Sequence, residues 1–174
     1  MSFSRRASSQ TAFTLIELLA VLAVIAILAS IGLKLASRAR EGAARDTARA
    51  QLAVLQGALE DYKRVFKSYP ATNAAPELLR ALMGRAGPDG TPMNYRPFVS
   101  LSGLSLRDDN PDAVGNVIVD PWGVPIEYRS YLNGGRREFY LYSIGPDGED
   151  SPPGADGVLD LSSAPNLDNV YAHR

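Results

Sequence analysis

The most prominent feature of the hydrophobic pattern is an apolar stretch near the amino terminus. Between Phe13 and Leu33 the side chains are apolar or small, and Glu17 is the single ionisable residue. These 21 residues would form about 31 Å of helix at 1.5 Å per residue, close to the ~30 Å hydrocarbon thickness of a bilayer. The stretch therefore predicts a membrane-spanning helix. A carboxylate deep in hydrocarbon costs about 2.5–3.5 kcal/mol, so we expect Glu17 to face a partner and to act in assembly.

From Lys34 onward the pattern becomes amphipathic. Apolar residues recur at intervals of three and four, the spacing of one helix face. These positions are Ala48, Leu52, Leu55, Leu59, Tyr62, Phe66 and Tyr69. The two patterns together predict one helix over residues 13–68, whose second half presents its apolar face to the core of a globular domain. Pro70 is expected to end this helix, because the residue before a proline is pushed out of helical geometry.

Beyond the long helix the signals are weaker. Asn73 as N-cap and Pro76 in the first turn predict a short helix within residues 71–84. Residues 85–116 are rich in turn-forming residues and predict a loop, with one short element near residues 98–106. Three apolar side chains of this loop could pack on the long helix or form a partner surface: Tyr95, Phe98 and Leu101.

An antiparallel hairpin is predicted further along the chain. Residues 126–130 alternate as a strand, Asn133-Gly134-Gly135 supplies a hairpin turn, and residues 137–143 form the return strand. An apolar triplet before the hairpin leads into a turn at Asp120-Pro121-Trp122-Gly123. Trp122 is predicted to anchor the core, with its indole N–H bonded to the backbone.

The charge pattern orients the chain. Arg5 and Arg6 precede the span, and the positive-inside rule keeps them in the cytoplasm while the remainder crosses. We expect three segments, which are a cytoplasmic leader (1–12), a transmembrane and assembly helix (13–34) and an extracytoplasmic globular domain (35–174). A plain signal-anchor helix is the alternative interpretation of the span. The formal net charge of -1 offers no electrostatic argument for nucleic-acid binding.

A metal site is one way to stabilise the exported domain. The chain has no cysteine, so no disulfide can close its loops. Acidic residues alternate with glycines late in the sequence, a pattern that suits hard cations with 6–8 oxygen ligands. The carboxylates are Asp147, Glu149, Asp150, Asp156 and Asp160. Their spacing does not match an EF-hand, and a solvated acidic loop is the other interpretation.

The sequence gives no support for an enzyme. His173 is the only histidine, and it lies next to the carboxyl terminus. The chain also lacks a Gly-x-Ser-x-Gly motif and a phosphate-binding glycine loop.

The residues from Ala12 to Leu19, after a short basic leader, carry a resemblance. They are similar to the class III signal of type IV pilins and of the pseudopilins of type II secretion. The resemblance implies that a prepilin peptidase cuts between Ala12 and Phe13 and methylates the new amine of Phe13. It also implies that Glu17 pairs with that amine on a neighbouring subunit as the helices stack.

Two later segments resemble the major pseudopilin of type II secretion in particular. They are Asp120-Pro121-Trp122-Gly123 and Tyr142-Ser143-Ile144-Gly145-Pro146-Asp147-Gly148. The resemblance implies a pilin fold, of class α+β, in which a long N-terminal helix packs on a small antiparallel sheet. It further implies a C-terminal calcium loop, with ligands carried over to Asp147, Asp156, the Ile144 carbonyl and Asp150.

The function expected from this resemblance is structural. The chain would be a non-enzymatic pseudopilus subunit that polymerises through its N-terminal helix and helps drive protein export through the outer membrane. Its expected partners are further copies, prepilin peptidase, minor pseudopilins and the inner-membrane assembly platform. It would be a single-pass protein of the bacterial inner membrane with a periplasmic domain. The alternatives are a type IV pilin and a membrane-anchored calcium-binding domain that does not polymerise.

Overall fold

The computed structural model describes residues 15–154 and 158–172. Within it the chain divides into two compact units, one ending at Glu41 and the other beginning at Gly42. Helix α1, Leu15–Phe66, contributes residues to both.

The first unit is helical throughout its described residues, 15–41. It contains an 18-residue window with a mean hydropathy of 2.7, long and apolar enough to cross a membrane. Its large aliphatic side chains are exposed, with exposed fractions from 49% at Val21 to 76% at Leu15. This surface of α1 is therefore apolar and uncovered within the single chain.

In the second unit, α1 forms the spine of the core. Ala48, Leu52, Leu55 and Leu59 are buried and pack with residues of the other helix and of the sheet. The sheet contributes Ile126, Tyr128 and Leu141 to the same cluster. The predicted apolar stripe is confirmed as a core face, because one helix face has to be covered for the domain to fold.

The end of α1 differs from the prediction. The helix ends at Phe66, and Lys67 adopts a left-handed backbone with φ of 63°. The predicted end at residue 68, enforced by Pro70, was therefore slightly wrong. The left-handed residue turns the chain before the proline is reached, and the carbonyl of Pro70 instead accepts a hydrogen bond from the buried Tyr128 hydroxyl at 2.9 Å.

Helix α2 spans Ala75–Leu82 and buries Leu78, Leu79, Ala81 and Leu82. Its N-cap is Ala74, with no side-chain hydrogen bond, so the prediction that Asn73 caps it was wrong. The side-chain Oδ1 of Asn73 instead accepts a hydrogen bond from the backbone amide of Ser130 at 2.8 Å. The side chain thus serves the sheet rather than the helix.

The long loop of residues 85–116 packs on the end of α1 through aromatic contacts. Phe98 contacts Tyr62 and Phe66, with ring centroids 5.1 and 5.7 Å apart, and Tyr95 stacks on Phe98 at 5.4 Å. Leu101 packs against the main core. Of the two alternatives for these side chains, the structure supports packing on the domain.

Two antiparallel sheets complete the second unit. Strands β1 (Ser105–Leu106) and β2 (Ile118–Val119) form the smaller one. The larger has the order β3-β4-β5, from Glu127–Asn133, Arg136–Ser143 and Val170–Tyr171. A short 3-10 helix, Ala164–Asn166, precedes β5.

The predicted hairpin is confirmed. Strands β3 and β4 pair from Glu127 with Tyr142 to Asn133 with Arg136. Gly134 and Gly135 both have positive φ, 55° and 80°, as a tight two-residue hairpin turn requires. The long helix packed on a small antiparallel sheet makes the fold α+β, as predicted.

Candidate functional site

The amino-terminal site begins at the described end of α1. Glu17 lies in the first helical turn, where a carboxylate is favoured by the helix dipole. The cleavage residues predicted from sequence, Ala12 and Phe13, lie outside the described residues. The described part of this site is thus an acidic first turn followed by an exposed apolar helix.

A buried carboxylate organises the turn between β2 and β3. Asp120 is only 2% exposed, and its Oδ1 accepts hydrogen bonds from the amides of Trp122 and Val124 at 3.0 and 2.9 Å. Its Oδ2 accepts one from the hydroxyl of Ser143 at 2.5 Å. Gly123 completes the turn with φ of 84°. The turn is therefore tied to the end of β4, where the acidic loop starts.

Trp122 beside this carboxylate is half-buried and packs against the main core, as predicted. Its indole N–H has no acceptor among the residues that the structure describes, so the expected backbone hydrogen bond was wrong.

Just after β4, the start of the acidic loop lies very close to Asp168. The Gly145 amide donates to the Ser143 hydroxyl oxygen at 3.2 Å, and Gly145 has φ of 77°. A Cβ at Gly145 would stand 2.6 Å from Oδ2 of Asp168 and 2.9 Å from its carbonyl oxygen. Only glycine allows the Asp168 backbone and carboxylate to approach this closely.

The loop carboxylates sit in different surroundings. Asp147 is exposed, and its Oδ1 accepts a hydrogen bond from the Glu149 amide at 2.9 Å. Asp150 is half-buried, and its Oδ2 accepts from the Tyr142 hydroxyl at 3.1 Å. Burial, followed by the charge of Asp150, raises the pKa of Tyr142. Asp160 is exposed, and hydrogen bonds from Ser162 lower its pKa.

The structure adds Asp168 to this loop. Burial first, and then the charge of Asp147, raise the pKa of Asp168, so the two carboxylates are close enough to repel each other. Sequence reasoning missed Asp168, which lies 21 positions after Asp147 and outside the Gly-Asp pattern. Its position two residues before strand β5, the last strand of the sheet, was the signal that could have found it.

A second missed residue shapes the loop. Asn166 is fully buried, and its side-chain amide bonds both the amide and the carbonyl of Ser151 at 2.9 Å. The same amide group donates to the Asp160 carbonyl at 2.7 Å. Asn166 therefore holds the chain on either side of the acidic segment in a closed turn.

The predicted cation ligands are only partly within the described chain. Ile144 is buried and starts the loop, Asp147 and Asp150 follow it, and Asp156 lies outside the described residues. Across residues 15–154 and 158–172, no three acidic or histidine side chains are grouped closely enough to hold a metal ion. Two buried oxygens that have no hydrogen-bond partner nevertheless belong to this region, Oδ1 of Asp150 and Oδ1 of Asp168. Such orphaned carboxylate oxygens are the donor type that a hard cation takes.

Comparison with known proteins first defines the class. A profile of the prokaryotic N-terminal methylation motif matches residues 7–33, which include Ala12, Phe13 and Glu17. The protein thus carries the processing motif of prepilin-like proteins at the start of its exposed apolar helix.

The family follows from the rest of the chain. The profile of "Type II secretion system (T2SS), protein G" matches residues 35–162, well over half of the sequence. The chain therefore belongs to the protein G family of type II secretion systems, and it is a pseudopilin subunit. It is 29% identical over 160 residues to the type II secretion system core protein G of Pseudomonas aeruginosa, covering 92% of this chain and 96% of that relative. No solved structure matches the chain.

Proposed function

We propose that the protein is the repeating, non-enzymatic subunit of a type II secretion pseudopilus. It is inserted in the inner membrane through residues 13–34, with Arg5 and Arg6 in the cytoplasm and the domain from residue 35 in the periplasm. Prepilin peptidase removes residues 1–12 and methylates Phe13. Copies then polymerise with the minor pseudopilins on the assembly platform, and the fibre helps drive proteins through the outer membrane.

The observation that carries this proposal is the series of exposed aliphatic side chains from Leu15 to Leu35 in a chain with an N-terminal methylation motif. Burying one large aliphatic side chain stabilises an assembly by about 1.5–3 kcal/mol, so this surface favours either lipid or neighbouring helices. A subunit can therefore reside in the membrane and then move into a fibre core, because the apolar surface of its helix stays shielded from water in both places. The family match favours this function over a type IV pilin and over a non-polymerising calcium-binding domain.

Processing is tested by mass spectrometry of the membrane-extracted protein. The expected mature amino terminus is N-methylated Phe13. An intact Met1, or a cut after Ala29 as in a conventional signal peptide, would refute the pseudopilin processing.

Assembly through Glu17 is tested separately from processing. Glu17→Ala is expected to leave membrane insertion and cleavage intact and to abolish most fibre formation, because the amine of Phe13 on the next copy loses its partner in a low-dielectric contact. Fibre yield after shearing provides the measurement, with cleaved subunit in the membrane as the loading control. Normal fibre yield would contradict the pairing.

We also propose that the acidic loop holds a structural calcium ion. The side chains of Asp147 and Asp168, with Asp150, Asp156 and the carbonyl of Ile144, would supply the ligands. When bound, calcium neutralises carboxylates that otherwise repel each other. Support comes from the mutual repulsion of Asp147 and Asp168 and from the unpaired buried oxygens of Asp150 and Asp168.

Thermal unfolding with calcium or with a chelator tests the loop. We expect calcium to raise the melting temperature, and Asp147→Asn to remove most of this increase, because binding that is confined to the folded loop adds to folding stability. Asp109→Asn, an exposed carboxylate in another loop, is the matched control. An equal loss for Asp147→Asn in chelator and in calcium would count against a metal site.

A further inference from the structure

A basic cleft lies at the end of the second unit where α1 finishes. Lys63 from α1, Lys67 from the turn directly after it, and Arg136 and Arg137 from the hairpin line a cavity of about 470 Å³, and one carboxylate, Glu138, joins them. Lys67 and Arg136 are exposed, while Lys63 and Arg137 are half-buried. The cleft therefore has a clear excess of positive charge.

Among the residues that the structure describes, these cations form no ion pair with a carboxylate. Lys63 Nζ donates to the Tyr69 hydroxyl at 3.1 Å, and Lys67 Nζ donates to the Arg64 carbonyl at 3.1 Å. The ion pairs recorded within residues 15–154 and 158–172 involve other residues. The positive charge of the cleft is thus available to an acidic partner.

The opposite end of the same unit is acidic. Asp147, Glu149 and Asp160 are exposed there, and none of them takes part in the ion pairs of the described chain. Arg45 reaches this end through its bond to the Asp168 carbonyl at 3.2 Å. Glu149 and Asp160 are not among the proposed calcium ligands, so the end stays acidic when the loop is loaded.

The distance between the basic cleft and the acidic end can be estimated from two elements that connect them, β4 and α1. Strand β4 runs eight residues from Arg136 in the cleft to Ser143 at the acidic loop, which is roughly 23 Å at about 3.3 Å per step. Along α1, Lys63 in the cleft and Arg45 at the acidic end are 18 residues apart, or roughly 27 Å. The two lengths agree, so the unit is electrically polar along its helix axis.

We infer that the basic cleft is the docking site for the acidic loop of a second copy of this chain, with Glu149 and Asp160 facing Lys67 and Arg136. A head-to-tail contact repeats from copy to copy and produces a filament when its rotation does not close into a ring, whereas a symmetric contact of either end with itself would place like charges together. This contact rests on the proposed polymerisation, and it adds the axial surface through which the globular domains meet.

Cysteine cross-linking of the full chain in assembling cells tests the contact. The natural chain has no cysteine, so Arg136→Cys combined with Glu149→Cys reports this pair alone. The two positions are too far apart for a disulfide within one copy, which needs Cα atoms within about 7 Å. We expect oxidation to give a ladder of multimers from the double variant. Each single variant, and the control pair Arg107→Cys with Glu149→Cys, should give no ladder, because Arg107 is exposed outside the cleft.

Charge reversal provides the second measurement. Lys67→Glu with Arg136→Glu is expected to lower fibre yield about tenfold or more, because two attractive pairs become like-charge contacts across the interface. Glu149→Lys with Asp160→Lys should do the same, and the combination of all four should recover most of the yield. The matched controls are Arg107→Glu and Asp109→Lys, which should retain normal yield. Circular dichroism of each purified variant confirms that it is folded.

The outcomes separate this inference from the proposed function. If the unmodified chain forms no fibre, both are overturned. If it forms fibres but shows neither a cross-linked ladder nor recovery by the fourfold reversal, the axial contact is wrong and the pseudopilus function stands. A third outcome is that Lys67→Glu with Arg136→Glu abolishes fibres while Glu149→Lys with Asp160→Lys has no effect. The cleft would then bind another acidic partner, and the inference would again be overturned.

Discussion

Replacing Asp120 should be among the most destabilising single changes in the globular domain. Asp120 is buried, with an exposed fraction of 2% for the residue. It accepts hydrogen bonds from two backbone amides of its own turn and from the Ser143 hydroxyl at the end of β4. Asp120→Ala therefore leaves three donors in a buried region without their acceptor.

The expected cost follows from these contacts. A hydrogen bond to a charged group contributes about 1.5–3 kcal/mol, and contributions within one network are not additive. Each buried donor left without an acceptor costs about 1–3 kcal/mol, so for the three donors together we expect Asp120→Ala to cost about 3–5 kcal/mol. Asp120→Asn keeps an oxygen for the two amides and loses the acceptor for Ser143, so a loss of about 1–2 kcal/mol is expected.

The chain offers a convenient assay for this change. Trp122 is its only tryptophan and lies two residues from Asp120, so its fluorescence reports unfolding of the same turn. Urea unfolding of the detergent-solubilised full chain, followed by this fluorescence and by circular dichroism, gives the free energy of unfolding for each variant. At roughly 2–4 °C per kcal/mol for a chain of this size, Asp120→Ala should lower the melting temperature by about 6–20 °C.

A double-mutant cycle isolates the link to β4. Asp120→Ala and Ser143→Ala should together cost about 1–2 kcal/mol less than the sum of the single changes, because each one already breaks the same bond. Asp109→Ala, an exposed aspartate, serves as the control and should change the free energy of unfolding by less than about 0.5 kcal/mol. A cost for Asp120→Ala as small as that of the control would refute the reasoning.

Two further changes test the backbone and the acidic loop. Gly84 has φ of 72°, and an added Cβ would stand 2.4 Å from the Tyr95 carbonyl oxygen. Gly84→Ala should therefore lower the free energy of unfolding in urea by about 2–4 kcal/mol. Gly57 lies on α1 with open space around it, so Gly57→Ala should raise that free energy by about 1 kcal/mol. Equal effects at the two glycines would contradict the close approach. The pKa of Asp168 is raised above its ordinary value of 3.8, so in chelator the native state should lose stability as pH rises above that value and regain it on acidification. Asp168→Asn should flatten this part of the stability curve relative to the natural chain, and an unchanged curve would show that Asp168 is not the responsible group.

Several elements could be predicted from the sequence because their causes are local. The apolar stretch before residue 34, the stripe from Ala48 to Tyr69 and the Asn133-Gly134-Gly135 turn each depend on periodicity or on backbone preferences within a few residues. These patterns predicted the long helix and the hairpin, and the resemblance of short motifs supplied the α+β pilin fold and the family. The end of α1 was missed by two residues because the left-handed turn at Lys67 carries no glycine signal.

What only the tertiary structure decided are the partners of polar groups that are distant in sequence. Asn73 looks like a helix cap along the chain, but β3 brings the Ser130 amide to it across 57 positions. Asp168 lies well beyond the acidic Gly-Asp segment, and it reaches Asp147 because β5 pairs with the end of β4 and Gly145 leaves room for its carboxylate. The conformational preferences of neighbouring residues determine which helix or strand a residue forms. A hydrogen bond or a charge contact between distant residues depends on how the folded chain brings their segments together, and no short window of sequence contains that information.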